Sequence, residues 1–249
     1  MRKHFAQIRS GSFDPGIDKF FNKKAYCGIS LSNPNYHGKR LSAVLFFLSD
    51  FFYRTLLITT GYIYRHHYRL ISETEKIALL KSEEAEQLYI EEHLLPQIKQ
   101  LSLEKKFEIV TWKEIYDTEE FKKYHEEVLH FYESNPSFKN DINQFAFNFI
   151  EKKMEQGTEF KVNQEFAIKA SIDFLLEETS VFNTLTSARG YEVDVYPGKH
   201  IPALNNIKSY VDCPKGLKNR IPVEISIHRV GRKSVQETSK SVQEKNICL

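Results

Sequence analysis

The sequence predicts an α/β fold, a Rossmann-like parallel sheet flanked by helices, and three observations predict it. Ala25–Ser30 and Thr55–Thr59 are short apolar runs of the kind that buried parallel strands use. They bracket an amphipathic stretch at Lys39–Tyr53, giving a strand–helix–strand unit of about 35 residues. Each run then ends in turn residues, Ser30 leading into Asn33-Pro34-Asn35 and Thr59 into Gly61. Composition agrees: 249 residues, 41% hydrophobic and 27% charged, suit one large domain, and a 13% aromatic share with 19 Phe suits a large core.

Taken in order, residues 1–24 are basic and broken by Gly11, Pro15 and Gly16, so they read as an irregular arm, with Lys23 and Lys24 solvated just before the first strand. In the helix at Lys39–Tyr53, Leu41, Val44, Leu45, Leu48, Phe51 and Phe52 recur at spacings of three and four. Leu41–Tyr64 could be mistaken for a membrane span, but Asp50 and Arg54 near its centre are costly in lipid, and no membrane partner is expected. Tyr62–Arg69 alternates aromatics and bases. It reads as a loop, either stacked on an RNA end or solvated with its rings packed down. His66 and His67 are adjacent, so they do not share a helix face as zinc ligands would.

Ser72–Gln100 reads as one long helix. Ser72 and Glu75 form its capping box, Pro96 kinks or ends it, and Glu83, Glu84, Glu86, Glu91 and Glu92 make a solvated acidic face. Lys105–Thr111 holds the third strand, and helices follow at Thr118–Tyr132, Ser137–Gln156 and Asn163–Ser180. Val193–Tyr196, closed by Pro197-Gly198, is the fourth strand. Pro222–Val230, with Val223, Ile225 and Ile227 alternating, is the fifth. Residues 231–249 have almost no apolar content and are expected to be disordered. The chain thus divides into an arm (1–24), one domain (25–230) and a tail (231–249).

Net charge is +2, from 35 basic and 33 acidic residues, so bulk charge does not announce a nucleic-acid binder and any such site must be a local patch. Cys27, Cys213 and Cys248 are odd in number and far apart. They suggest neither a disulfide framework nor a metal site, and a cytoplasmic protein fits. Met1-Arg2-Lys3-His4 leads into no apolar signal core.

Two places carry candidate chemistry. Ligand sites gather outside the carboxyl ends of parallel strands, where Ser30 stands. Its hydroxyl could attack a bound acyl group, or simply serve the turn. Gly28-x-Ser30-x-Ser32 is not the nucleophile elbow of α/β-hydrolases, because Ser32 replaces the second glycine. Later, Phe174 and Glu178 lie four apart and share a helix face. Glu177 and Glu178 cannot point the same way, so one is expected in solvent and the other inward, where burial would raise its pKa and let it move protons near neutrality.

Taken together, Gly28-Ile29-Ser30 at a strand end, Phe174-x-x-x-Glu178 on a late helix and Tyr196-Pro197 ending a later strand resemble the cyclodipeptide synthases. The resemblance spans residues 24 to 230. It implies a domain similar to the catalytic domain of class I tyrosyl- and tryptophanyl-tRNA synthetases. It also implies two aminoacyl-tRNAs as partners, joined into a cyclic dipeptide (a diketopiperazine) with no cofactor and no metal, because the ester is already activated. By this resemblance Ser30 accepts the first aminoacyl group, Glu178 holds the α-amino group and shuttles its proton, and Tyr196 assists cyclisation. Backbone N–H groups of Leu31 to Asn33 could form the oxyanion site.

Gly28, Tyr26 and Leu57 are expected to line the first substrate pocket, with Asn33 and Phe174 completing the substrate-binding set. Tyr196-Pro197 suits the branch of the family with Pro after the tyrosine, whereas Asn33 is a mark of the branch with His. Phe174 stands where the family usually has Tyr, Lys24 where a His often precedes the first strand, and Tyr191 rivals Tyr196. The long helix that is basic in some relatives is acidic here. The tRNA contacts are therefore expected from Lys39, Arg40, Arg65 and Arg69 or from C-terminal lysines, in a monomer or weak dimer. Two other readings stay open: a serine hydrolase using His200 or His228, and an inactive tRNA-binding module, which the missing hydroxyl at Phe174 supports.

Overall fold

The computed structural model describes residues 4–9, 22–71 and 74–229. Apolar runs become strands of one sheet: β1 (His4–Ile8), β2 (Lys24–Ile29), β3 (Thr55–Thr59), β4 (Phe107–Thr111), β5 (Tyr191–Tyr196) and β6 (Ile221–Arg229). In space the order is β1–β6–β5–β2–β3–β4. The five strands from β6 to β4 run parallel to their neighbours, and β1 lies antiparallel on β6, pairing His4 with Arg229 and Ile8 with Ile225. The arm expected to be irregular therefore contains an edge strand, whose burial alternates over only five residues. Gly11, Pro15, Gly16 and the 231–249 tail lie outside the described residues.

The pleat of the strands sorts the core into two layers. Ala25, Cys27 and Ile29 of β2 join Leu57, Val193, Val195, Val223 and Ile225 on one face. That face is covered by α1 (Gly38–Phe51) and by Tyr89, Leu94 and Ile98 of the helical stretch 75–100. Tyr26, Leu56 and Ile58 point the other way. They pack under α5 (Trp112–Tyr116), α6 (Glu119–Ser134), α7 (Pro136–Glu155) and α8 (Gln164–Arg189).

Four elements differ from the sequence reading, each for a local reason. Tyr62–Arg69 is not a loop: a 3-10 turn at Tyr62–Tyr64 leads into an α-helix at Arg65–Ile71 (α2). Second, the long helix starts at Glu75, capped by Thr74 rather than Ser72, whose own placement lies outside the described residues; the Thr74 side chain accepts from Ile77 N–H at 3.2 Å. It continues as α3 (Glu75–Tyr89), a π turn (Ile90–Leu94) and α4 (Leu95–Gln100). Pro96 lacks the N–H that an α turn needs, and the wider turn before it lets the helix pass on.

Third, α8 runs on from Ser180 to Arg189. The hydroxyls of Thr179, Ser180 and Thr184 donate to carbonyls four residues back, which satisfies these buried groups inside the helix that tertiary packing maintains. Gly190, at φ 67°, then caps it in the left-handed conformation. Fourth, α5 follows β4 directly, started by a capping box of Thr111 and Glu114.

Candidate active site

The strand order dictates where a site can form. From β2 the chain crosses to β3 and then β4 on one side, and returns to place β5 on the other side of β2. Beyond the carboxyl ends of β2 and β5 lies the crevice that this reversal opens. Ser30 follows β2 and Tyr196 ends β5. Tyr191, the rival tyrosine, sits at the opposite end of β5, paired with Lys24.

Hydrogen bonds tie the rim together. Ser30 Oγ lies 2.6 Å from the Tyr64 hydroxyl, which also meets Ser32 Oγ at 2.5 Å. Asn33 Nδ2 donates to the Tyr196 hydroxyl at 3.3 Å, while Asn33 Oδ1 accepts from Asn35 N–H and caps the turn. Asn33 N–H itself donates to the Ser30 carbonyl, which removes it from the expected oxyanion donors. Tyr64 reaches the rim because Gly61 N–H, at the foot of its 3-10 turn, is held by the Glu86 carboxylate at 2.8 Å. Glu86, expected on the solvated acidic face, is thus buried, and burial raises its pKa.

Glu177 and Glu178 both turn inward, contrary to the expectation that one would face solvent. Their positions, 100° apart on α8, aim them at different neighbours. Glu177 accepts from Arg65 Nη1 at 3.0 Å, Arg65 Nη2 at 2.6 Å and Trp112 Nε1 at 2.9 Å, and meets His66 Nε2 at 3.0 Å. Burial alone would raise its pKa, but the His66 and Arg65 hydrogen bonds and charge hold it below the ordinary 4.5. Glu178 has no such support: burial and the nearby Asp194 charge push it up to about 7, with Arg220 opposing. The Glu178 charge in turn raises Tyr196 after burial does, and Tyr64 adds to that effect, so Tyr196 lies within electrostatic reach of both. Phe174 shares the Glu178 face and packs edge-on to Tyr64, ring centroids 6.4 Å apart.

Under the site lies a charged floor. Asp194 pairs with Tyr26 in the sheet register. Its Oδ2 accepts from Arg220 Nε at 2.8 Å and lies 2.6 Å from Arg220 Nη2 and 3.2 Å from His200 Nε2. Arg220 is fully buried. Burial would raise the Asp194 carboxyl, but Arg220 and His200 hold it below its usual range. This triad escaped the sequence reading, although a charge between Val193 and Val195 in a buried strand was a visible signal.

The register also corrects the first pocket. Tyr26 and Gly28 pair with Leu56 and Ile58, whereas Leu57 pairs with Cys27 and lies in the core on the opposite face. A one-residue offset in a pleated strand reverses the face. Ile58, paired with Gly28, shares its face, and the Thr60 Cγ2 would lie 3.9 Å from a Cβ on Gly28. Tyr26 is fully buried, and Gly28 is partly open. A cavity of about 420 Å³ adjoins the site, lined among others by Ser32, Tyr64, Phe145, Phe149 and Phe174.

Of the expected tRNA contacts, Lys39 and Arg40 are exposed at the start of α1. Arg65 is instead committed to Glu177, its side chain only 11% exposed. Arg69 is half-buried over the Phe166 ring, 3.9 Å from Glu75. Of the histidines that a hydrolase would need, His200 lies beneath the site with its ring 5.5 Å from that of Tyr196, while the Ser30 hydroxyl is bonded to Tyr64 instead, and His228 lies at the sheet edge. His200 is paired with Asp194, and His228 stacks on Phe5 at the β1–β6 edge and bonds Gln7 and Ser226.

The chain is an α/β protein, a six-stranded sheet flanked by helices, and its fold is similar to that of solved cyclodipeptide synthases. Among solved structures it is similar to a CDPS (cyclodipeptide synthase) from Fluoribacter dumoffii, with TM-score 0.78 and 18% identity over 92% of this chain and 100% of that one. It is also similar to a cyclodipeptide synthase from Candidatus Glomeribacter gigasporarum bound to Phe-tRNAPhe, with TM-score 0.59 and 17% identity over 86% of this chain and 91% of that one. A third is a Mycobacterium tuberculosis protein whose structure relates cyclodipeptide synthetases to type I tRNA synthetases, with TM-score 0.66 and 13% identity over 92% and 94%. No family model matches the sequence, and no curated protein is significantly similar to it. No helix among the described residues is long and apolar enough to cross a membrane.

Proposed function

We propose that the protein is a tRNA-dependent cyclodipeptide synthase, working through an aminoacyl-enzyme on Ser30 in a ping-pong sequence. The observation that supports this reading is the gathering of Ser30, bonded to Tyr64, and Tyr196, bonded to Asn33, beyond the carboxyl ends of β2 and β5, with the Glu178 carboxylate, its pKa pushed up to about 7, acting on Tyr196. The likeness in fold to solved cyclodipeptide synthases, one of them bound to Phe-tRNAPhe, supports it.

Ser30 Oγ attacks the aminoacyl ester of the first tRNA. The Oγ–carbonyl bond forms, the bond to the ribose oxygen breaks, and the serine proton leaves with the tRNA hydroxyl. The α-amine of the Ser30-bound residue then attacks the ester of a second aminoacyl-tRNA: the amide bond forms, the bond to the second ribose oxygen breaks, and that tRNA leaves with a proton on its hydroxyl. The free amine of the resulting dipeptide closes the ring on the Ser30 ester and restores the serine. An amine must lose a proton in each of the last two steps, and a carboxylate with a pKa near 7 can take it and give it back. Tyr196, bonded to Asn33 and within reach of Glu178, assists ring closure. Pro197 after Tyr196 favours the Tyr-Pro branch. The protein acts in the cytoplasm, as a monomer or weak dimer, and Lys39 and Arg40 serve as tRNA contacts.

Incubation with a mixture of charged tRNAs should give a cyclic dipeptide detectable by mass spectrometry, and Ser30→Ala should abolish it together with any covalent adduct. Full activity in that variant refutes the assignment. Ester turnover without a cyclic product would favour a hydrolase, and binding without turnover an inactive tRNA-binding module.

A further inference from the structure

We propose that Tyr64 is the positioning residue of Ser30, supplying the site with the hydroxyl that Phe174 lacks. The inference rests on the synthase reading above and adds to it a residue from a segment that the sequence marked only as aromatic and basic. Three observations carry it. The Tyr64 hydroxyl is hydrogen-bonded to Ser30 Oγ at 2.6 Å and to Ser32 Oγ at 2.5 Å, so it fixes the serine side chain from one side. The Tyr64 ring stands edge-on to Phe174, at the mouth of the adjoining cavity. The turn that carries it is held on both sides by buried carboxylates, Glu86 accepting from Gly61 N–H before it and Glu177 binding the Arg65 and His66 side chains just after it.

A serine free to rotate spends only part of its time aimed at a bound ester. A hydroxyl fixed within hydrogen-bond distance removes that freedom and leaves one lone pair of Oγ for attack. After acylation, Ser30 Oγ is an ester oxygen and can only accept. Tyr64 then donates to it or turns its oxygen toward the substrate ammonium group, which is the service that a tyrosine at position 174 would render. Ser32 keeps the phenol in place in either state. Position 174 can dispense with its hydroxyl because position 64, its ring against that of Phe174, brings one to the same rim.

The test compares the parent protein, Tyr64→Phe, and Tyr64→Phe with Phe174→Tyr. Phenylalanine at 64 keeps the ring packing, so thermal stability should be unchanged. Two rates are read: labelling of Ser30 by a fluorophosphonate, followed by intact mass, and aminoacylation of Ser30 from charged tRNA. Tyr64→Phe should slow both by on the order of tenfold to a hundredfold, the loss falling in kcat with KM for aminoacyl-tRNA unchanged. The double variant should recover at least about tenfold in aminoacylation. Rates within threefold of the parent, a loss confined to KM, or no recovery in the double variant overturns the inference. If the parent makes no cyclic dipeptide, the synthase reading fails, while the fluorophosphonate comparison still decides for or against Tyr64.

Discussion

Two neighbouring glutamates should respond to the same substitution with opposite signs. Glu178 has a folded pKa of about 7 against an ordinary 4.5, so the folded protein binds its proton more tightly than the unfolded chain does. Such a group costs nothing below pH 4.5 and progressively weakens the fold as pH rises through 7. The gap of about 2.5 pH units corresponds to about 3 kcal/mol at pH 8. Glu178→Gln removes that burden and should stabilise the protein by up to this amount at pH 8, the gain vanishing near pH 4.5, while cyclic dipeptide formation is lost.

Glu177 is held below 4.5 by Arg65 and His66, so its contribution is present above 4.5 and is lost as pH falls through its lower folded value. Glu177→Gln leaves Arg65 charged and nearly buried without its partner, a change that typically costs about 3 kcal/mol or more. Urea unfolding followed by fluorescence of Trp112, the one tryptophan in the chain, reads both. With a slope of about 3 kcal/mol per molar urea, the midpoints should move about 1 M in opposite directions at pH 8. Midpoints that move together, or a Glu178→Gln gain that persists undiminished at pH 4.5, would refute the reasoning.

Other outcomes follow from the same geometry. Turnover should rise as pH increases through about 7, because the amine needs Glu178 ionised; a flat profile between pH 6 and 8 would remove it as proton acceptor. Gly28→Ala should fold normally, since its Cβ would meet Thr60 Cγ2 at an ordinary 3.9 Å, yet change the rate or the products; Gly61→Ala, whose Cβ would fall 2.1 Å from Glu86 Cβ, should lower the melting temperature. Ile58→Ala should shift the spectrum of cyclic dipeptides seen by mass spectrometry, whereas Leu57→Ala, buried on the opposite face, should leave that spectrum alone and cost about 2–5 kcal/mol of stability.

What could be read in advance was what short-range patterns encode. The apolar run Thr55–Thr59 is a strand with those boundaries, and the three-and-four spacing from Leu41 to Phe51 is a helix. Placing Ser30 and Tyr196 at strand ends needed only the turn residues that follow them. What escaped depends on partners far along the chain. Tyr62–Arg69 is helical around groups held by Glu86 and Glu177, 25 and 112 residues away, and nothing local announces either. The face that Leu57 takes is not legible locally, because an all-apolar strand has no alternation to set its phase, and only pairing with β2 does so. Glu178 was legible as a possible acid, but the Asp194 charge that helps set its pKa arrives on another strand.

The antiparallel seam between β1 and β6 has a consequence for how the protein is made. Ile8 meets Ile225, and Gln7 meets Ser226, across almost the whole polypeptide. On the ribosome β1 emerges ahead of the other described strands and must wait for β6 before it finds its mate, a closure over on the order of 200 residues. Nascent β1 therefore spends most of translation unzipped, and the seam is a final latch rather than a seed: a protein stalled short of β6 would carry a bare sheet edge, open to strands of other chains.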